Sequence, residues 1–186
     1  MDFIKALLPG LAALPNIHPL FVHFPIAFWI GALLLEGLAV LRDEKLHEKL
    51  HGVAAWMLHL GTFCAMATAL TGIIAEQNIA THDPLGHHGP AHEPIHVHRN
   101  WMLMTTALGL VVSGYFCWVQ RRGQWASHRK GLLAAAGLLA VMVSLGADRG
   151  ARLVYEFGTG VNANVLRVPR DVQGTHPKQD DGHHDP

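Results

Sequence analysis

LFVHFPIAFWIGALLLEGLAVL, running from Leu20 to Leu41, holds a single carboxylate and a single imidazole in an otherwise apolar stretch. A helix needs about twenty such residues to cross the hydrocarbon core of a bilayer. Backbone polar groups inside lipid find no water, so a lone segment of this length satisfies them only as a helix. Three more runs of the same kind come later, at Val53–Ala75, Trp101–Gln120 and Leu132–Ala147. The expected fold is therefore all-α: an integral membrane four-helix bundle with spans at about 20–41, 53–75, 101–120 and 132–147. The bundle takes residues 1–161, and a polar tail of low hydrophobicity, 162–186, is expected to be disordered.

The connectors set an orientation. Arg42, Lys45 and Lys49 lie in the first, and Arg121, Arg122, Arg129 and Lys130 in the third. The second holds only Arg99 and the N-terminal segment only Lys5. The positive-inside rule places connectors one and three in the cytoplasm, with both termini and the second connector in the periplasm. The localisation this implies is the bacterial inner membrane. No convincing cleavable signal precedes the first span, because Pro9, Gly10 and Pro15 interrupt the only apolar stretch, and Phe3–Leu14 reads as a short interfacial segment. Arg149 and Arg152 stand against the charge rule, close to the membrane on the outer side, and need a partner there.

Histidine is the compositional outlier at 15 copies, against 14 Lys plus Arg and 14 Asp plus Glu. Balanced charge offers no reason to expect a nucleic-acid partner. Imidazole in excess points to metal ligation or proton handling. Two segments carry imidazoles to the same outer boundary: IHPLFVHF, with His18 and His23, and HVHRNW, with His96 and His98. One neutral imidazole on each side of an iron is what bis-histidine haem requires, from two facing helices. His23 and His98 are the preferred pair, being nearest the apolar spans, with His18 and His96 as alternative ligands or neighbours. The competing reading is that these histidines only bridge headgroup water and backbone carbonyls. Arg99, Arg149 and Arg152 are candidate partners for haem propionates, since a guanidinium forks onto a carboxylate, although lipid phosphate would serve them as well. No C-x-x-C-H is present, so haem is expected as non-covalent haem b, and Cys64 and Cys117 read as buried thiols.

The tract THDPLGHHGPAHEPIHVH, Thr81–His98, contains six histidines within the long connector Glu76–Asn100, read as an irregular loop. It matches no rigid zinc motif, and is expected to act at most as an adaptable copper or zinc chelator across His82–His98. His59, inside the second span, reads as a hydrogen-bonded packing histidine, and Glu36 as a group that snorkels or pairs with a neighbour. Gly61, Ala65 and Ala69 form a small-residue stripe suited to close helix contact. There is no phosphate loop, no Ser-His-Asp order and no H-E-x-x-H, so hydrolytic catalysis finds no support.

HPLFVHFPIA (His18–Ala27), the histidine before the third span (His98) and GARLVYEFGTGV (Gly150–Val161) together resemble a bacterial family of predicted inner-membrane proteins catalogued as a domain of unknown function (DUF2231). The resemblance spans roughly Ile17–Val161. It implies a four-helix membrane domain and marks His18, Pro19, His23, Pro25, His98, Leu153, Val154, Tyr155, Gly158 and Gly160, without a reaction. In the last motif, Gly158 and Gly160 permit a tight left-handed turn. Leu153, Val154, Tyr155 and Phe157 are then expected to fold over the outer mouth of the bundle, with Tyr155 at a cofactor. The functional expectation is a b-type haem electron carrier between quinone or a partner enzyme and a periplasmic cytochrome. Its alternatives are a copper or zinc binding or transport protein, and a non-redox anchoring subunit of a respiratory complex.

Overall fold

The structure, a computed structural model, describes residues 6–10, 16–82 and 89–161. The polar tail from 162, the centre of the histidine tract (83–88) and most of Phe3–Leu14 lie outside the described residues. The helices are α1 (His18–Phe21), α2 (His23–Val40), α3 (Glu44–His82), α4 (His92–Arg122) and α5 (Trp125–Tyr155). The described residues hold no strand. Four stretches are long and apolar enough to cross a membrane, the first being α1 and α2 together (His18–Val40). Each long helix packs on its sequence neighbour, and α5 closes the ring against α2. The fold is thus an up-and-down four-helix membrane bundle, in agreement with the sequence.

The helices overrun the apolar runs, and here one expectation is corrected. The connector Glu76–Asn100 is not a long irregular loop: α3 continues through His82, and α4 begins at His92. Nothing in Glu76–His82 breaks a helix, and the first proline after it is Pro84. Pro94 sits in the first turn of α4, where a missing N–H costs nothing. At about 1.5 Å per residue, the 39 residues of α3 span roughly 58 Å, well beyond a hydrocarbon core of about 30 Å. At the opposite end α4 stops at Gly123, which takes left-handed φ 62° while its N–H bonds the Gln120 carbonyl. This C-terminal glycine turn reverses the chain into α5 within two residues.

Trp29 of α2 fills the centre of the bundle and is 1% exposed. A Cβ at Gly61 of α3 would stand 2.7 Å from its ring, and one at Gly109 of α4 2.6 Å. The Trp29 indole N–H donates to Thr62 Oγ1 at 3.3 Å. The small-residue stripe of α3 is therefore used inside the chain, with Gly61 against Trp29 and Ala65 buried in the core. That removes it as a reason to infer a partner subunit. The outward faces carry exposed Leu34, Trp56, Phe63, Leu70, Met104 and Val111, an apolar exterior suited to acyl chains.

Candidate functional site at the α1 end of the bundle

The first histidine motif makes a clip. Pro19 occupies the first turn of α1, the chain turns at Val22, and α2 starts at His23. Pro25 has no N–H to offer the Phe21 carbonyl four residues back. Thr68 of α3 supplies that missing donor: its hydroxyl lies 3.1 Å from the Phe21 carbonyl and 2.8 Å from Cys64 O, one turn back on its own helix. Nδ1–H of His18 donates in return to the Thr68 carbonyl at 3.2 Å, with Thr71 Oγ1 at 3.3 Å. This fixes the tautomer, leaving the lone pair on Nε2, and no hydrogen bond among the described residues engages that atom.

His98 of α4 meets α5 in a similar way. A Cβ at Gly150 would stand 3.0 Å from His98 Cε1, and one at Gly72 of α3 3.0 Å from His18 Cε1. Each imidazole lies against a helix backbone that glycine has stripped of its side chain. The Gly146 carbonyl is beside the His98 ring, yet lacks hydrogen-bonding geometry to Nδ1, which is buried and unpartnered. His18 and His98 both line a cavity of about 420 Å³, inside the range of roughly 300–1,000 Å³ usual for cofactor sites. Its walls are mainly apolar, with Val22, Ile26, Ala69, Met102, Val143 and Leu153 among them.

The other sequence candidates divide. His23 also lines the cavity, but its side chain is exposed, so the half-buried imidazole opposite His98 is His18. His96 points elsewhere, with Nε2 3.1 Å from Nε2 of His92 and Nδ1 3.5 Å from Glu76. Arg99 lines the cavity and is paired with Glu76 at 2.8 Å. Arg149 lies over the Trp101 ring, 4.0 Å from its centre, and donates to the Leu145 carbonyl. Arg152 pairs with Glu156 one turn on. Both thus have partners within the chain, and neither lines the cavity. The glycine turn is present: Gly158 and Gly160 take φ of 61° and 79°, and the Thr159 N–H bonds the Leu153 carbonyl. Leu153 is buried at the cavity, whereas Tyr155 stands at its lip, 88% exposed.

A second polar cluster, at the opposite end, is not apparent from the sequence. Glu36 and His51 form an ion pair, with both side chains almost wholly buried. His47 is fully buried, and its Nδ1–H donates to the Ala39 carbonyl at 2.9 Å. Trp125 stacks on His47 at 4.8 Å and Phe116 on His51 at 5.7 Å. Glu36 Oε2, His47 Nε2 and His51 Nε2 are buried without partners. The available signal was the 47/51 spacing, one helical turn, facing a carboxylate that lipid would not tolerate alone. His59 behaves as expected, its Nδ1 bonded to the Ser113 hydroxyl of α4.

Among the described residues no three His, Cys, Asp or Glu side chains converge on one point, so any metal chemistry in them rests on fewer protein ligands. No curated protein and no solved structure matches the chain. The sequence model of the predicted membrane protein family DUF2231 matches residues 14–163, which include both histidine motifs and the glycine turn, and the chain belongs to that family.

Proposed function

We propose that this protein is a b-type haem membrane protein, in which His18 and His98 would hold the iron, with electron transfer near the outer face as its role. The observation that carries the reading is two imidazoles from different helices lining one largely apolar cavity, each seated on a glycine. The chain's own residues prepare the site. Thr68 and Thr71 hold the His18 ring and direct its proton to Nδ1, leaving Nε2 basic for a metal. Gly72 and Gly150 let both rings draw back toward the helix axes, and the aliphatic walls exclude water. Iron held by two neutral imidazoles supplies one-electron chemistry. Arg99, at the cavity wall and paired with Glu76, is the guanidinium available to a carboxylate of the ligand.

Orientation belongs to the same proposal. Arg42, Lys45, Lys49, Arg121, Arg122, Arg129 and Lys130 all gather at the end opposite the cavity. With that end cytoplasmic, the cavity opens toward the periplasm of a bacterial inner membrane. Quinone, a respiratory enzyme or a periplasmic cytochrome are then the natural electron partners.

Full-length protein expressed with haem supply and purified in detergent tests this. The expected result is a Soret band with a sharp reduced α-band. His18→Ala and His98→Ala are each expected to abolish the low-spin α-band, while His23→Ala retains it. A colourless protein that also fails to take up added haem would overturn the reading, as would an α-band that survives both substitutions.

A further inference from the structure

The start of α4 at His92 gives the histidine tract a defined geometry. His92 and His96 are four residues apart and fall on one face of the first turns. Their Nε2 atoms are 3.1 Å apart, with ring centres at 4.3 Å and planes near perpendicular. Ligand nitrogens at about 2.0–2.1 Å from a tetrahedral ion stand roughly 3.3 Å apart, so the observed separation is close to that of two ligands on one cation.

The surroundings of His96 strengthen the case. Glu76 Oε1 of α3 lies 3.5 Å from His96 Nδ1, and Arg99 Nη1 holds the same oxygen at 2.8 Å. A carboxylate beside Nδ1 keeps the proton there and leaves the lone pair on Nε2, the atom that faces His92. A carboxylate behind a histidine in this way orients the ring and raises its basicity as a metal ligand. Arg99 fixes the carboxylate in place. Without metal, the His92 Nε2–H donates to His96; a divalent cation takes the place of that shared proton.

We propose a divalent-metal site, for zinc or cupric ion, ligated by His92 and His96 and oriented by Glu76 and Arg99. Its two ligands, His92 and His96, are not among the cavity's lining residues, whereas Glu76 and Arg99 line the cavity and are shared with it. Two imidazoles are borderline ligands suited to both ions.

The test is Zn²⁺ titration of untagged, chelator-stripped, full-length protein in detergent, in competition with a chromophoric indicator. His92→Ala and His96→Ala are each expected to weaken the tightest equivalent at least tenfold. Glu76→Gln is expected to weaken it less, with stoichiometry unchanged. With Cu²⁺, electron paramagnetic resonance should show nitrogen couplings that diminish in either histidine variant. His92→Ala should leave any haem spectrum intact, so failure here and failure of the haem reading are distinguishable. Circular dichroism confirms that each variant keeps its helix content. A His92→Ala/His96→Ala double variant that binds zinc with unchanged affinity and stoichiometry overturns the site, as does a wild-type protein that takes up no zinc.

Discussion

The two ends of this bundle use the same side chain to opposite effect. At the end proposed to face outward, His18 and His98 line an open cavity, each on a bare glycine backbone. At the opposite end, proposed to face inward, His47 and His51 are packed against Trp125 and Phe116, and their hydrogen bonds hold the α2–α3 hairpin. His47 gives the Ala39 carbonyl, which the Arg42 N–H also bonds at 3.0 Å, a second donor at the end of α2. His51 pairs with the carboxylate that α2 buries. The inner histidines fasten helices together, with their second nitrogens sealed in packing; the outer ones line a cavity. What separates the two roles is the residue facing each imidazole, aromatic and filling at one end, glycine at the other.

The largest effect should come from breaking the inner pair. Glu36→Ala leaves His51 buried without its counter-charge, and removing one member of such a pair costs about 3–5 kcal/mol. Glu36→Leu combined with His51→Leu removes both polar groups and should recover most of that loss. Unfolding titrations in mixed detergent micelles, followed by circular dichroism, measure both. If Glu36→Ala left stability unchanged and altered the outer site instead, the division between a structural end and a ligand end would fail.

How far this division could be read from the sequence depends on what lipid demands. The four spans were plain because a bilayer requires long uncharged runs, and those runs locate the helices whatever their ends do. The ends were not plain. Glu44–Gly52 and His92–Asn100 are polar and helical, so hydropathy underestimates them, and Pro94 reads as a breaker until it is placed in a first turn. The outer site was legible as a pairing of two histidine motifs. Its detail was not, because proximity to the apolar run favours His23, while the turn at Val22 leaves His23 exposed and seats His18 on α3. The inner cluster was hidden because His47 and His51 sit among Lys45, Glu48 and Lys49 and look like connector residues. Only helical spacing carried from Glu44 turns both toward α2.

Intermediate effects test the clips at each end. His47→Ala removes one of two donors to the Ala39 carbonyl and the stack on Trp125, a loss of about 1 kcal/mol for the hydrogen bond alone. Thr68→Val keeps the shape of the side chain and deletes the hydroxyl that supplies Phe21, a change of roughly 1 kcal/mol. The two variants should differ at the outer site. His47→Ala lowers stability with that site unchanged, whereas Thr68→Val also loosens His18 and reduces haem occupancy. Paired unfolding and absorption measurements on the same preparations would show this. Equal losses of occupancy in both variants would mean that the ends communicate.

The smallest effect on stability, and the sharpest on the site, is expected at the glycines. A helix-interior glycine is less favourable than alanine by about 1 kcal/mol, so Gly52, whose added Cβ would meet nothing within 4 Å, should gain stability as Gly52→Ala and leave the cavity as it was. Gly72 and Gly150 differ because their added methyl groups would stand 3.0 Å from the His18 and His98 rings. Each ring must then retreat into the cavity by a few tenths of an ångström, offsetting the propensity gain and displacing the nitrogen proposed to hold iron. Gly72→Ala and Gly150→Ala are therefore expected to unfold within about 1 kcal/mol of wild type while losing haem occupancy or shifting the reduced α-band. A fold that tolerates the methyl and a site that does not would show that these glycines serve the ring, since helix stability favours alanine at both positions. Unchanged spectra in both variants would place the cavity's imidazoles in the same structural class as His47 and His51, and the contrast between the two ends would disappear.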